Sequence, residues 1–160
     1  MSICKPDIFF SKIKKGGKLL SIDYGDKFVG LAISDERLKI SNPFDTIRRK
    51  NFKFLVENII KVITKENIVG IILGWPINMD GTEGARCDAT RDFSHAFIKF
   101  YKIPICFHDE RLSTNEAKNL LDKVKVPKNK VKILTNSLAA SFILQDFLDI
   151  KNNNNKYFEI

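Results

Sequence analysis

The segment "KLLSIDYGDKFVGLAIS" (residues 18–34) decides the fold, because it predicts two central strands joined by a tight turn. Its first part, residues 18–23, is mostly apolar, as in a strand that is buried on both faces. Gly25 and Asp26 are turn-forming residues, and a small and β-branched run follows them. Gly30 lies inside that run, where a glycine indicates a bulge or the close approach of another backbone.

The segments after residue 34 alternate between strand and helix patterns. Pro43 restricts the next strand to a sheet edge, and Ser113 followed by Glu116 is a capping-box pattern that predicts a helix start. We predict a third strand at 41–49, helices at 51–67, 83–101, 113–124 and 135–150, and buried strands at 68–74 and 103–108. This order predicts an α/β fold with a mixed five-stranded sheet, built from a three-strand antiparallel meander and two parallel β/α units, with helices on both faces.

The length of 160 residues fits a single domain, residues 1–160. Its patterned core covers about residues 18–149. An N-terminal arm, residues 1–17, and an Asn-rich tail, residues 150–160, flank that core. We expect the tail to be frayed.

Composition limits the compartment and the partners. The three cysteines lie far apart without CxxC spacing, which argues against a disulfide framework or a zinc site and for a reducing compartment. No apolar run reaches the roughly 20 residues of a membrane span, and the order of apolar and basic residues at the start is wrong for a signal peptide. We therefore expect a cytoplasmic protein with no membrane association. The formal net charge of +8 favours polyanionic partners such as nucleic acid.

Two acids, Asp23 and Glu110, end the first and the last predicted strands. Ligands of such sheets bind at the carboxyl ends of the parallel strands. Two carboxylates from neighbouring strand ends repel each other unless a cation lies between them, and oxygen ligands of this kind suit Mg²⁺ or Mn²⁺. Paired ions of this type serve phosphodiester cleavage. Each acid alone also has a structural explanation: Asp23 as a turn residue, and Glu110 as a partner of Arg111 or a cap of the next helix.

Four blocks of the sequence together carry a family resemblance. They are "SIDYGDKFVGLAISD", "VGIILGWPINMDGTEGAR", "HDERLSTNEAKNLL" and "SLAASFILQDFLD". In this order they resemble the successive signature blocks of the YqgF family, over about residues 18–149. That family consists of small bacterial proteins of the ribonuclease H-like, Holliday-junction-resolvase type, and it is described as including resolvases and nucleases that trim the precursor of 16S rRNA. The resemblance implies a ribonuclease H-like sheet.

The resemblance also implies a metal-binding and catalytic set. Asp23 and Glu110 match two acids of the family, whereas Asn136 stands where the third acid opens the last helix. An amide oxygen can coordinate a metal but brings no charge, so this replacement predicts weaker metal binding and puts catalysis in doubt. Asn136 also suits the N-cap or first turn of a helix. Asp109 should point to the opposite face of its strand, and we see no obvious substitute in Asp26, Asp80 or Glu83.

Further residues of the family blocks are candidates for nucleic-acid binding. The loop "GWPINMDGTEGAR" is expected to line the substrate groove, with a helix start after it that offers free N–H groups to a phosphate. Arg111 is expected to grip the scissile phosphate. Trp75 either stacks on a base or, as we favour, packs at the strand end. The lysines of the segment 126–132 form a basic loop that is either a backbone-binding site or simply solvated. The candidates are Asn78, Asp80, Arg86, Arg111, Lys128 and Lys130.

From these observations we expect a metal-dependent nuclease that acts on structured nucleic acid through a metal-activated water. The first expected substrate is the 5′ end of precursor 16S rRNA, in ribosome biogenesis and in association with ribosomal precursor particles. The alternatives are a resolvase of four-way DNA junctions and a catalytically weakened nucleic-acid-binding homologue. A symmetric junction resolvase requires a homodimer, whereas an end-trimming nuclease does not, so the sequence leaves both a monomer and a homodimer open. An actin-like nucleotide-binding fragment also begins with a strand ending in "IDYG", but the chain is too short for two such lobes.

Overall fold

A computed structural model of the chain describes residues 2–110 and 113–156. In chain order its elements are α1 (Pro6–Lys12), β1 (Lys18–Tyr24), β2 (Phe28–Ser34), β3 (Ser41–Arg48), α2 (Phe52–Lys65), β4 (Ile68–Trp75), α3 (Ala85–Phe100), β5 (Ile105–Asp109), α4 (Ser113–Lys123) and α5 (Lys128–Lys156). The sheet has the order β3-β2-β1-β4-β5. β1, β2 and β3 pair antiparallel, while β4 pairs parallel with β1 and β5. The predicted mixed five-stranded sheet is therefore confirmed.

Both faces of the sheet are covered, as predicted. The continuous apolar run of β1 is buried on both sides because its residues alternate between two cores. Leu20 and Ile22 belong to the core under α2 and α3. Leu19 belongs to the core under α5, together with Ala140 and Leu144 of that helix. Asp23 follows Leu19 at even spacing, so it lies on the α5 face of the sheet.

The last helix is much longer than predicted. We expected a basic loop at 126–132 and a helix at 135–150, but α5 begins at Lys128 and continues to Lys156. Lys128, Asn129 and Lys130, which suggested a loop, form its first turn, in which the Lys130 N–H donates to the Pro127 carbonyl at 2.9 Å. The helix also includes most of the tail that we expected to be frayed. A window at Lys128–Asn153 has the length and mean hydropathy, 1.2, of a membrane span, but half of it is buried inside the fold, as in the core helix of a folded domain.

The N-terminal arm packs on the sheet rather than standing apart from it. Ile3 forms a parallel bridge with Ile105, so the arm covers part of the exposed edge of β5. Phe9 of α1 is fully buried and meets Phe147 of α5 edge-on, with the ring centroids 5.9 Å apart. Gly70 makes this packing possible, because a Cβ there would lie 2.5 Å from the Phe9 ring.

Candidate active site

Asp23 lies at the carboxyl end of the central strand, almost completely buried. Its relative exposure is 5%, and its backbone pairs with Gly30 of β2. The next residue, Tyr24, points to the opposite face, where its ring stacks on Phe93 with the centroids 4.5 Å apart. The alternation of β1 therefore places the ring of Tyr24 in the opposite core and directs the Asp23 carboxylate towards the α5 face.

Glu110 reaches the same place from the end of β5. Its N–H donates to the Trp75 carbonyl at 3.2 Å, which extends the strand pairing beyond the end of β5. Its side chain, 8% exposed, folds back over Gly74 of β4. A Cβ at Gly74 would lie 2.3 Å from Glu110 Oε2 and 2.9 Å from Ile143 Cδ1. Because Gly74 has no side chain, the Glu110 carboxylate can occupy the space beside it.

The two carboxyl groups interact directly, whereas the sequence predicted a divalent cation between them. Asp23 and Glu110 share a side-chain hydrogen bond. Burial and the charge of Asp23 raise the pKa of Glu110 to about 9. Burial also raises the pKa of Asp23, against the opposing effects of the Glu110 hydrogen bond and the Arg86 charge. Two carboxyl groups can hydrogen-bond only when one carries a proton, so the metal-free pair holds a proton at neutral pH.

Arg86 supplies positive charge to this pair. It is the second residue of α3, and its Nη2 lies 3.8 Å from Glu110 Oε1. Its charge opposes the upward pKa shifts of both Asp23 and Glu110. The Arg86 side chain is 55% exposed, so part of its guanidinium faces solvent at the carboxyl edge.

Asn136 lies beside the acid pair but directs its amide elsewhere. The backbone carbonyl of Asn136 lies against Gly30, which pairs with Asp23. The interpretation of Asn136 as a cap or first-turn residue is wrong, because α5 begins at Lys128 and position 136 lies more than two turns further on. Its Nδ2 donates to the carbonyl of Lys132, one turn earlier in the same helix. A role of Asn136 in metal binding remains a prediction.

Gly30 allows α5 to approach the sheet at the site, as the sequence indicated. A Cβ at this position would lie 2.0 Å from the Asn136 carbonyl oxygen. We expect Gly30→Ala to lower the free energy of unfolding by at least ~3 kcal/mol, since both clashing partners are backbone held in a sheet and a helix. Urea denaturation checks this value. Gly84→Ala is the control: its Cβ would approach only the Asn78 side chain, at 3.3 Å, so its cost should be clearly smaller.

The side chains of Asn78, Asp80 and Thr82 bond to one another within the 76–84 loop. Asn78 Nδ2 donates to Thr82 Oγ1 at 3.0 Å, and Asp80 Oδ1 accepts from the N–H and the hydroxyl of Thr82 at 2.9 and 2.6 Å. Gly81 completes the turn with a φ of 87°. Asn78 and Asp80 therefore shape the turn. Their role in nucleic-acid binding remains a prediction.

The other predicted nucleic-acid contacts lie in different places. Arg111 lies outside the described residues. Lys128 and Lys130 are exposed in the first turn of α5, not in a loop. Trp75 packs on Phe107 with the centroids 4.6 Å apart and lies under the Arg91 guanidinium at 5.1 Å, in agreement with the favoured packing role.

Sequence reasoning missed two contacts beside the acid pair. The first is the Arg86–Glu110 ion pair, described above. The second joins His108 Nε2 to Asp146 Oδ2 at 2.6 Å and connects β5 to α5. Strand alternation places His108 on the same face of the sheet as Glu110. Asp146 lies 38 positions later in the sequence, however, and no local pattern predicts that the two side chains pair.

The donor set of the site suits a hard divalent cation. Two buried carboxylates converge beside Gly74, and carboxylate oxygens are the ligands that Mg²⁺ prefers. Within residues 2–110 and 113–156, however, no group of three or more His, Cys, Asp or Glu side chains could hold a metal ion. This agrees with the presence of an amide, rather than an acid, at position 136. A role of Asp23 and Glu110 as the charged metal ligands remains a prediction.

Comparison with known proteins agrees with the resemblance seen in the sequence. A protein-family model described as RuvX, Holliday junction resolvase, matches residues 17–150. The chain is 41% identical over 149 residues to a protein of Bartonella bacilliformis, and the matched region covers 93% of this chain and 92% of that protein. It is 36% identical over 149 residues to a protein of Paramagnetospirillum magneticum, and this match covers 93% of this chain and 96% of that protein. Both relatives carry the name "Putative pre-16S rRNA nuclease".

Solved structures show the same architecture. The chain is similar to T. thermophilus RuvC in complex with Holliday junction substrate, with a TM-score of 0.51 and 9% identity over 84% of this chain and 96% of that chain. A second structure of Thermus thermophilus RuvC gives the same values. At this identity the similarity concerns the fold alone, and it confirms the predicted ribonuclease H-like, resolvase-type sheet.

Proposed function

Because this chain belongs to the RuvX family, described as Holliday junction resolvases, we propose that it is a nuclease that hydrolyses phosphodiester bonds in structured nucleic acid. One observation carries the proposal: Asp23 and Glu110, 87 positions apart (110 − 23), meet in a hydrogen bond at the carboxyl edge of the sheet. Two buried acids in contact are costly to the fold, which is typical of a site kept for function rather than for stability.

The substrate that we propose first is the 5′ end of precursor 16S rRNA, processed in the cytoplasm, on ribosomal precursor particles. The names of the curated relatives support this choice. A four-way DNA junction is the second candidate, supported by the description of the family. The two candidates require different assemblies, since a symmetric junction needs two active sites and hence a dimer, whereas end trimming needs one.

The residues of the site divide the chemistry among them. Asp23 and Glu110 would hold a Mg²⁺ or Mn²⁺ ion, with the Asn136 amide oxygen as an uncharged third ligand. Such an ion supplies positive charge to the scissile phosphate and lowers the pKa of water for in-line attack. To bind it, the acid pair must release its shared proton. Ile143 also lies beside Gly74, so an apolar side chain borders the position of the Glu110 carboxylate.

Cationic residues around the edge would bind the nucleic-acid backbone. Arg86 presents its exposed guanidinium beside the acids, within reach of a phosphate that approaches them. Lys128 and Lys130 lie at the start of α5, where free backbone N–H groups add to the positive potential. We also propose Arg111 as a phosphate ligand, from the family resemblance.

A two-substrate assay tests the proposal. The full chain is incubated with Mg²⁺ or Mn²⁺ and either an RNA that carries the 5′ leader of precursor 16S rRNA or a four-way DNA junction. Divalent-dependent cleavage of the RNA, with correct 5′ ends, supports the first candidate. Paired symmetric cuts in the junction support the second. Binding without cleavage of either substrate, in both metals, would contradict the nuclease proposal.

Asn136 decides between an active enzyme and a weakened homologue. We expect Asn136→Asp to raise Mn²⁺ affinity and the cleavage rate at least ~10-fold, because one extra unit charge near the ion contributes more than ~1.4 kcal/mol. Aspartate cannot donate to the Lys132 carbonyl, so the variant loses the side-chain hydrogen bond that holds the Asn136 amide against its own helix. Titration calorimetry and the cleavage assay measure both quantities.

Asn129→Asp is the matched control for that substitution, because it adds the same charge in the exposed first turn of α5. It should leave metal affinity within about twofold of the wild type. If Asn136→Asp binds metal more tightly but cleaves no faster, the missing third charge is not what limits catalysis.

A further inference from the structure

The two arginines of α3 have different surroundings. Arg91 is held by acids of its own region: its guanidinium contacts Glu83 at 2.9 Å and Asp88 at 2.8 Å, and it covers the ring of Trp75. Arg86 is directed instead at Glu110, at the longer distance of 3.8 Å. Its guanidinium is therefore the cation of α3 that faces the acid pair, and it is held loosely there.

Arg86 and a divalent ion would compete for the same carboxylates. The Arg86 guanidinium carries one positive charge and lies 3.8 Å from Glu110 Oε1. A divalent ion held by Glu110 and Asp23 would bring two positive charges to the same carboxylates. Like charges this close repel each other strongly in a partly buried site. A phosphodiester at the same edge reverses the balance, because its negative charge attracts both the ion and the guanidinium. The Arg86 side chain is half exposed and long enough to move from Glu110 to the phosphodiester.

We propose that Arg86 is an exchangeable countercharge: it neutralises the acid pair in the metal-free protein, weakens metal binding while nucleic acid is absent, and moves to the phosphodiester when substrate arrives. Metal and phosphodiester then bind cooperatively, each making the other's binding tighter. This inference rests on the metal site of the proposed function and names a regulation of it. Arg86 acts on the metal through the charge that it places near Glu110, so in metal binding it is a positioning residue.

Metal binding without turnover tests the inference. The affinity for Mn²⁺ is measured from the free-ion electron paramagnetic resonance signal, for the wild type and for Arg86→Gln, with no nucleic acid present. We expect Arg86→Gln to bind Mn²⁺ about tenfold more tightly, equivalent to ~1.4 kcal/mol. Arg91→Gln removes the same charge from the same helix but away from the acid pair, and its affinity should stay within about twofold of the wild type. Arg86→Lys keeps the charge and should remain close to the wild type.

The cooperativity is tested by repeating the titration with dimethyl phosphate, a phosphodiester anion that is not cleaved on the timescale of the measurement. We expect it to tighten Mn²⁺ binding to the wild type severalfold and to have almost no effect on Arg86→Gln. Equal Mn²⁺ affinities for the wild type and Arg86→Gln would overturn the countercharge while leaving the nuclease proposal standing. If neither protein binds Mn²⁺, the metal site itself is wrong, and the nuclease proposal fails with it.

Discussion

Replacing Asp23 with asparagine should reduce cleavage by about three orders of magnitude and leave the fold intact. The substitution keeps the shape of the side chain but removes one of the two charged ligands that converge at the carboxyl edge. One unit charge at about 4 Å, with an effective dielectric near 20, contributes roughly 4 kcal/mol, which is equivalent to about three decades in affinity. The measurement is kcat/KM on the better of the two substrates, with circular dichroism to monitor folding.

Asp26→Asn provides the matched control for that loss. Asp26 lies in the exposed turn after β1, three positions from Asp23, and its loss removes the same charge outside the acid pair. Its activity should remain within about twofold of the wild type, because charges separated in solvent are largely screened. Equal activity of Asp23→Asn and the wild type would refute a mechanism that uses this carboxylate.

Replacing Glu110 with glutamine should stabilise the metal-free protein at alkaline pH. The pKa of Glu110 is raised from 4.5 to about 9 in the fold, so between these values the folded state binds more protons than the unfolded state. The stability of the wild type is therefore complete below the unfolded pKa near 4.5 and is lost as the pH rises towards 9. Glutamine does not ionise. At pH 8 the variant should exceed the wild type by a few kcal/mol, on the order of 5–10 °C in Tm.

Thermal denaturation between pH 5 and pH 9 in a chelator measures this difference. The wild-type Tm should fall with pH, whereas Glu110→Gln should lack the Glu110 contribution to that fall and keep only the contribution of Asp23. Glu57→Gln, an exposed position paired with Lys53 at 4.0 Å, should follow the wild-type curve. Adding Mn²⁺ should restore the wild type at high pH, since the ion takes the place of the shared proton. Parallel curves for the wild type and Glu110→Gln would show that Glu110 is not strained in the fold.

Strand positions could be predicted from the sequence because burial on both faces leaves a local pattern. β1 and β4 were predicted to within one residue of their observed bounds. The start of α5 was not, because lysine and asparagine near Pro127 are compatible with both a loop and a first helical turn. Packing on β2 and β3, including the hydrogen bond from Thr46 Oγ1 to the Ile133 carbonyl at 2.6 Å, favours the helix.

The sequence alone determined the sheet and the pair of acids at its carboxyl edge, because strand alternation and the direction of parallel strands depend only on local pattern and chain order. Tertiary structure decided how charges surround that pair. Three contacts depend on side-chain conformations and on helix position. They are the Arg86–Glu110 ion pair, the hydrogen bond from the Asn136 amide to the Lys132 carbonyl within α5, and the His108–Asp146 bond. Long polar side chains have several low-energy rotamers, and only their neighbours in space select one of them.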